Sequence, residues 1–225
     1  GGKYTAWQKR NYLLEGAAGK TLGDRVDMMI EYLERSMKAG DKEVNLFAFS
    51  RGSAAALEFL NRIQDKKDDP LYKGIKVNLV VLWDTVRTTA ASYRTELPEG
   101  MRFMHQPLHF IAIDEMRSQF FNKDVLNLEG ALQVGYRGVH ADICNGYENS
   151  PFGWISLEDA VTASQKVGLS INARMLAKFK SGVNWKATPT DNDRWFYNDN
   201  EKREFPKDML IHPTVASFGR YSGSR

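Results

Sequence analysis

The sequence has little of what disulfide-bonded, membrane-spanning or nucleic-acid-binding proteins need. Its single cysteine, Cys144, cannot form an internal disulfide, which fits folding in a reducing compartment. The longest apolar run, near 77–83, is far shorter than the roughly 20 residues of a membrane span, and the first residues lack a signal-peptide pattern. A net charge of +3 without a dense Lys/Arg run argues against nucleic-acid binding. We therefore expect a protein that is cytoplasmic in the producing cell, with at most peripheral membrane contact.

Motifs for metals and nucleotides are also missing. The sequence contains no H-E-x-x-H, no Cys/His cluster and no G-x-x-x-x-G-K-[ST]. The neighbouring acids Asp114 and Glu115 are only a weak signal for a divalent cation. We therefore expect neither a metal nor a cofactor.

Buried strands alternate with helices along the chain, which predicts a mostly parallel sheet flanked by helices. The predicted strands cover 44–49, 77–82, 109–113 and 133–139, and the predicted helices cover 22–37, 53–63 and a segment beginning near Ser156. Ser156 and Asp159 form an S-x-x-D box at that last helix start. We predict a core over 1–182 and an irregular segment over 183–225 that packs on it through Trp185, Trp195 and Phe196.

Ser50 stands where a predicted strand passes into a predicted helix, as the serine of a nucleophile elbow does. The usual pattern is G-x-S-x-G, and here the flanking small residues are Ala48 and Gly52, which would let strand and helix approach closely. The backbone N–H of Arg51 would then donate to an oxyanion. An isolated serine in this position is more often a helix cap. The preceding strand, the following helix and the partners available later in the chain favour the nucleophile.

A serine hydrolase of this layout needs an acid and then a histidine later in the chain. Asp84 and Asp114 each follow a predicted strand, where parallel sheets place their chemistry. We favour Asp114 because it lies one strand closer to the histidine, and Asp84 stays open as the alternative. Among the four histidines, His140 follows the last predicted strand and is the preferred base.

Five motifs in order resemble the bacterial α/β-hydrolase family that includes the type VI secretion phospholipase effectors. They are F-S-R-G at 49–52, W-D-T-V at 83–86, H-x-x-x-x-D-E-x-R at 109–117, G-V-H-x-D at 138–142 followed by G-Y at 146–147, and I-H-P-T-V at 211–215. The resemblance implies an α/β-hydrolase-like fold and hydrolysis of carboxylic esters, above all phospholipid acyl esters, by Ser50, His140 and an aspartate. It also implies a toxin secreted into a target bacterium, with a secretion-machinery protein and an immunity protein as partners.

The sequence departs from the family pattern at three places. The strand ending in F-D-G-T is missing, so we expect the sheet to lack its first strand or strands. The glycine-rich stretch after the histidine is reduced to I-C-N-G at 143–146. Arg87 replaces a glycine, and it either selects an acidic head group or is a surface residue. Together with Asp142 and His212, it makes up the predicted substrate-binding residues.

Two other functions stay open. The missing strand favours a weak or inactive hydrolase fold that serves as a binding module. A small-substrate esterase without any bilayer contact is the second alternative. If the protein does contact a membrane, the aromatic residues Tyr147, Phe152 and Trp154 are candidates, although each is equally plausible in the core.

Overall fold

The computed structural model describes residues 22–87, 93–115, 126–147, 150–186, 188–189 and 203–216. Four α-helices occur in these ranges: α1 (Leu22–Lys38), α2 (Arg51–Asp65), α3 (Pro151–Lys166) and α4 (Ala173–Ser181). The strands are β1 (Glu43–Phe49), β2 (Lys76–Trp83), β3 (Leu108–Ala112), β4 (Leu132–Tyr136) and β5 (Leu210–Ile211). Two short 3₁₀ helices cover Asp142–Cys144 and Pro213–Ala216.

The five strands form one parallel sheet in the order β1-β2-β3-β4-β5. The prediction of a mostly parallel sheet flanked by helices is therefore confirmed, and the protein has an α/β fold. Because all strands run the same way, the residues that follow β1, β2, β3 and β4 meet at one edge of the sheet. The predicted serine, both candidate aspartates and the predicted histidine all lie in those connections.

Alternate residues of β2 serve two separate cores, as the period of two in a strand requires. Val80 and Leu82 pack with α1 and α2 on one face of the sheet. Leu79 and Val81 pack on the other face with the α3 residue Ile155. All four β2 side chains are at most 2% exposed, so each stabilises the fold by roughly 1.5–3 kcal/mol. The sheet is thus held rigidly from both sides beneath its carboxyl edge.

Helix α3 begins earlier than predicted, which corrects two interpretations. It begins at Pro151, a favoured first helical residue, and not near Ser156. Ser156 is buried within the helix, where its hydroxyl accepts from Trp83 Nε1 at 3.1 Å and donates to the carbonyl of Ile143. The S-x-x-D box is therefore not a cap. Phe152 and Trp154 are buried in the core, so they are not available for membrane contact.

One described part of the C-terminal segment pairs with the sheet. Leu210 and Ile211 pair with Val134 and Gly135 of β4, so the prediction of an irregular segment is wrong there. Trp185 is half exposed, and Trp195 and Phe196 lie outside the described residues. None of the helices within the described ranges is long and apolar enough to cross a membrane.

Candidate active site

Ser50 occupies a strained turn between β1 and α2. Its φ of 59° and ψ of −131° are unusual for a residue with a side chain. Three backbone hydrogen bonds hold this conformation: Ser50 N–H donates to Trp83 O (2.9 Å), and Ser50 O accepts from Ser53 (3.0 Å) and Val86 (3.3 Å). The Ser50 hydroxyl makes no capping hydrogen bond to α2, so it is free of the role that the cap interpretation assigned to it.

His140 lies in the turn after β4 and contacts both Ser50 and Asp84. Its Nε2 is 2.8 Å from Ser50 Oγ, and its Nδ1 is 2.7 Å from Asp84 Oδ2. The backbone N–H of His140 donates to Glu115 Oε2 (3.1 Å), and the ring packs against Phe49 with centroids 4.4 Å apart. With the ring proton on Nδ1, His140 donates to the carboxylate and its Nε2 accepts from the serine hydroxyl. This arrangement can deprotonate Ser50 as it attacks.

Asp84 follows β2, and backbone and side-chain donors converge on its carboxylate. It has a positive φ of 39°, and its own N–H donates to Phe110 O at 2.7 Å. Its Oδ1 accepts from the backbone N–H of Ala112 at 3.1 Å, and the residue is 2% exposed. Burial opposes ionisation, but the guanidinium of Arg203 and the hydrogen bond from His140 hold the pKa of this carboxyl well below its usual value.

Arg203 is the functional-site residue that sequence reasoning missed. Nη1 lies 2.7 Å from Asp84 Oδ1 and Nη2 lies 3.1 Å from Oδ2, so the guanidinium binds the carboxylate with two donors. Nη1 also donates to Ala112 O at 3.0 Å, and the side chain is 6% exposed. The sequence carries no signal for this contact, because Arg203 stands 119 residues after Asp84 in a segment without periodicity.

Asp114, the preferred acid of the sequence analysis, makes other contacts. Its Oδ2 accepts from Arg137 Nε at 2.7 Å and from the backbone N–H of Gly138 at 2.6 Å. These bonds hold the turn that precedes His140. The preference for Asp114 over Asp84 was therefore wrong, since the carboxylate that bonds to His140 belongs to Asp84.

Of the other predicted site residues, one lies next to Ser50 and three make no described contact with the triad side chains. Arg51 begins α2 directly after Ser50, which leaves its backbone N–H at the helix N-terminus where an oxyanion donor belongs. Arg87 is exposed. Asp142 is 2% exposed and accepts from Val139 N–H at 3.0 Å, so it holds the His140 turn and does not face a substrate. The described contacts of His212 are with Asp159 (3.2 Å), Thr214 (2.6 Å) and the Tyr136 ring, not with the triad.

Gly52 does not have the steric role that the elbow pattern suggested. A Cβ placed on Gly52 meets no atom of the described residues within 4 Å. Close approach of β1 and α2 therefore does not require glycine at this position.

His109 is buried and Cys144 is half-buried near Asp84, and neither has catalytic geometry. His109 is 0% exposed, its Nε2 accepts from Thr85 N–H (3.3 Å), and its Nδ1 lies 3.3 Å from Gln133 Oε1. Burial lowers the pKa of His109 to about 4, so the ring is neutral at pH 7 and fixes the residue next to Asp84. Burial raises the pKa of the Cys144 thiol to about 11, which keeps it protonated and unreactive. Within the described ranges, no group of three or more His, Cys, Asp or Glu side chains could hold a metal ion.

Comparisons with known proteins give no family assignment. No family model matches the chain, and no curated protein matches it. A crystal structure of an uncharacterized protein from Pseudomonas aeruginosa is similar over 73% of this chain, with 18% identity and a TM-score of 0.46. This chain spans 30% of that protein's length.

Proposed function

We propose that this protein is a serine hydrolase of the α/β-hydrolase type that cleaves carboxylic esters. The observation that carries the proposal is the unbroken hydrogen-bonded series from Ser50 Oγ through the His140 ring to Asp84 Oδ2, with distances of 2.8 and 2.7 Å. The strained backbone of Ser50 supports it further, because strain of this kind is typical of functional sites.

The proposed reaction proceeds through an acyl-enzyme. His140 Nε2 takes the Ser50 proton while Oγ attacks the ester carbonyl, and the Arg51 N–H donates to the tetrahedral oxyanion. His140 then gives the proton to the departing alcohol, leaving an acyl-Ser50 ester. A water molecule, deprotonated by His140, attacks that ester and releases the acid. Asp84 stabilises the imidazolium in both halves and keeps the ring in the required tautomer.

The proposed substrates are phospholipid acyl esters, which the five sequence motifs support through their resemblance to the phospholipase effectors. Delivery by a type VI secretion system and neutralisation by an immunity protein rest on the same resemblance. The geometry of the triad itself fits any carboxylic ester, and the motifs narrow the proposed substrate class to phospholipids.

The test uses purified protein with phospholipid vesicles and a short-chain chromogenic ester, beside Ser50→Ala and His140→Ala. Each variant should lose on the order of 10⁴-fold or more in kcat while staying folded by circular dichroism. Ser164→Ala and His105→Ala are matched controls: Ser164 bonds within α3 and His105 is exposed. Both should keep wild-type activity.

A fluorophosphonate probe adds a readout that needs no substrate. Mass spectrometry should locate the adduct on Ser50, and His140→Ala should abolish it. Cleavage of the short ester without fatty-acid release from vesicles would contradict the lipid substrate but keep the hydrolase. Absence of both hydrolysis and labelling would contradict the enzyme and favour a binding module.

A further inference from the structure

The contact between Arg203 and Asp84 goes beyond what a serine–histidine–aspartate triad requires. We propose that Arg203 is a positioning residue that orients the Asp84 carboxylate toward His140 and shares that carboxylate with the His140 ring. This inference rests on the proposed function, since it assigns Arg203 a role in the same site.

The geometry leaves the Asp84 carboxylate a single orientation. Oδ1 accepts from Arg203 Nη1 and the Ala112 N–H, and Oδ2 accepts from Arg203 Nη2 and His140 Nδ1. Arg203 is itself fixed to β3, because Nη1 also donates to Ala112 O at 3.0 Å. Rotation of the carboxylate would break bonds at both oxygens. The planar guanidinium is suited to this role because its two donors match the two oxygens of a carboxylate.

The charge of Arg203 acts on the histidine through Asp84. A buried carboxylate needs a counter-charge, and Arg203 supplies it while His140 is neutral. When His140 gains a proton, the same buried carboxylate faces two cations. Arg203 and a protonated His140 therefore compete for the same carboxylate. Among the described residues, His109 and Cys144 also lie near Asp84, and Glu115 accepts the His140 backbone N–H.

The C-terminal segment is anchored to the sheet beside Arg203. Leu210 and Ile211 pair with β4, and His212 N–H donates to Gly135 O at 2.9 Å. The side chain of His212 is joined to Asp159 of α3. The β4 strand that receives these bonds leads directly into the turn with His140. Residues 203–216 therefore contact both the strand that leads to His140 and, through Arg203, the carboxylate of Asp84.

The first test compares Arg203→Met and Arg203→Lys in the full chain, using kcat and KM for a short ester from pH 4 to 9. For Arg203→Met, we expect kcat to fall about 10- to 100-fold with an unchanged KM. The acidic limb of the kcat/KM profile should move to higher pH, because a protonated His140 no longer shares the carboxylate with a second cation. Arg203→Lys keeps the positive charge but loses the two parallel guanidinium donors. Its acidic limb should stay near that of the wild type, and its kcat should recover only in part.

Arg94→Met is the matched control. Arg94 binds the buried carboxylate of Glu58 with two donors, at 3.1 and 3.2 Å, on α2 and away from the triad. It should cost stability without moving the acidic limb. The inference is overturned if Arg203→Met loses activity only in proportion to its unfolded fraction and the acidic limb of its kcat/KM profile stays at the wild-type pH. If Arg203→Met does not fold, a wild-type kcat in Arg203→Lys overturns it equally.

A second measurement separates this inference from the proposed function. The His140 ring is titrated by NMR in Ser50→Ala and in Ser50→Ala with Arg203→Met, and its signals are assigned by their loss in His140→Gln. The titration midpoint should be higher without Arg203, whether or not any ester is cleaved. Equal midpoints would overturn the inference. If the wild type hydrolyses no ester, the proposed enzyme activity is contradicted. The two titration midpoints still test the role of Arg203 in that case.

Discussion

Asp84 and Asp114 occupy equivalent places at the ends of neighbouring strands, yet they have different roles. Each carboxylate binds an arginine and accepts one backbone N–H. Oδ1 of Asp84 accepts a backbone N–H of β3, and Oδ2 bonds to His140. Oδ2 of Asp114 accepts hydrogen bonds from Arg137 and Gly138 in the turn after β4. The position after a strand therefore identifies a candidate acid, but the partners decide its function.

The difference begins in the backbone. Asp84 has a positive φ of 39°, whereas Asp114 is not among the described residues with positive φ. This conformation, fixed by the bond from Asp84 N–H to Phe110 O, sets where the carboxylate lies relative to β3. Aspartate and asparagine tolerate positive φ better than most residues, so Asn substitution tests each carboxylate with little disturbance of the chain.

The largest expected effect is that of Asp84→Asn. Loss of the carboxylate removes the acceptor that fixes the His140 tautomer and stabilises the imidazolium, so kcat should fall by on the order of 10⁴-fold. The measurement is kcat for ester hydrolysis per folded molecule of the variant and of the wild type. A fall of less than about tenfold, with a large fall in Asp114→Asn, would return the acid role to Asp114.

Asp114→Asn should act on stability, not on chemistry. Arg137 is 7% exposed, and Asp114→Asn removes the negative charge that Arg137 Nε contacts at 2.7 Å. We expect a loss of about 3 kcal/mol in the free energy of unfolding, with kcat per folded molecule within a few-fold of wild type. Urea unfolding combined with the ester assay checks both parts. A loss of kcat without a loss of stability would contradict the structural role.

His109 supplies a pH test beside Asp84. Burial depresses its pKa from 6.5 to about 4, so the unfolded chain binds a proton that the folded chain does not in this range. Stability contributed by the neutral ring is present above pH 6.5 and is lost as the pH falls toward 4, by about 3 kcal/mol at 1.4 kcal/mol per pH unit. The unfolding free energy should therefore decline across this window. His109→Gln should flatten the decline, and an unchanged slope would contradict a buried neutral ring.

The sequence predicts those parts of the site that local patterns determine. The apolar runs and their spacing indicate the parallel sheet, and the change from strand to helix at Ser50 and the turn at His140 follow from it. The choice between Asp84 and Asp114 depends on which backbone N–H groups meet each carboxylate. Strand register and turn geometry determine those contacts. Distance along the chain to the histidine favoured Asp114, whereas the structure places Asp84 next to His140.

Two other features depend on contacts that no local pattern carries. Arg203 reaches Asp84 across 119 residues, through a segment whose anchoring strand has only two residues. Helix α3 begins within P-F-G-W at 151–154, where proline and glycine suggest a turn. Proline favours the first helical position, and burial of Phe152 and Trp154 in the core overrides the glycine.

The smallest expected effect concerns two glycines of the site, Gly52 beside Ser50 and Gly138 beside Asp114. Gly52 follows Ser50 in α2, and an added Cβ meets no described atom, so Gly52→Ala should stabilise the protein by about 0.5–1 kcal/mol through helix propensity. Gly138, which donates to Asp114, has a φ of 110°, and its added Cβ would lie 2.7 Å from Asp142 Cβ. Gly138→Ala should therefore destabilise by about 1–3 kcal/mol. Thermal unfolding of both variants measures the contrast. If Gly52→Ala is the more damaging of the two, close packing at the elbow does require glycine, as the sequence pattern first suggested.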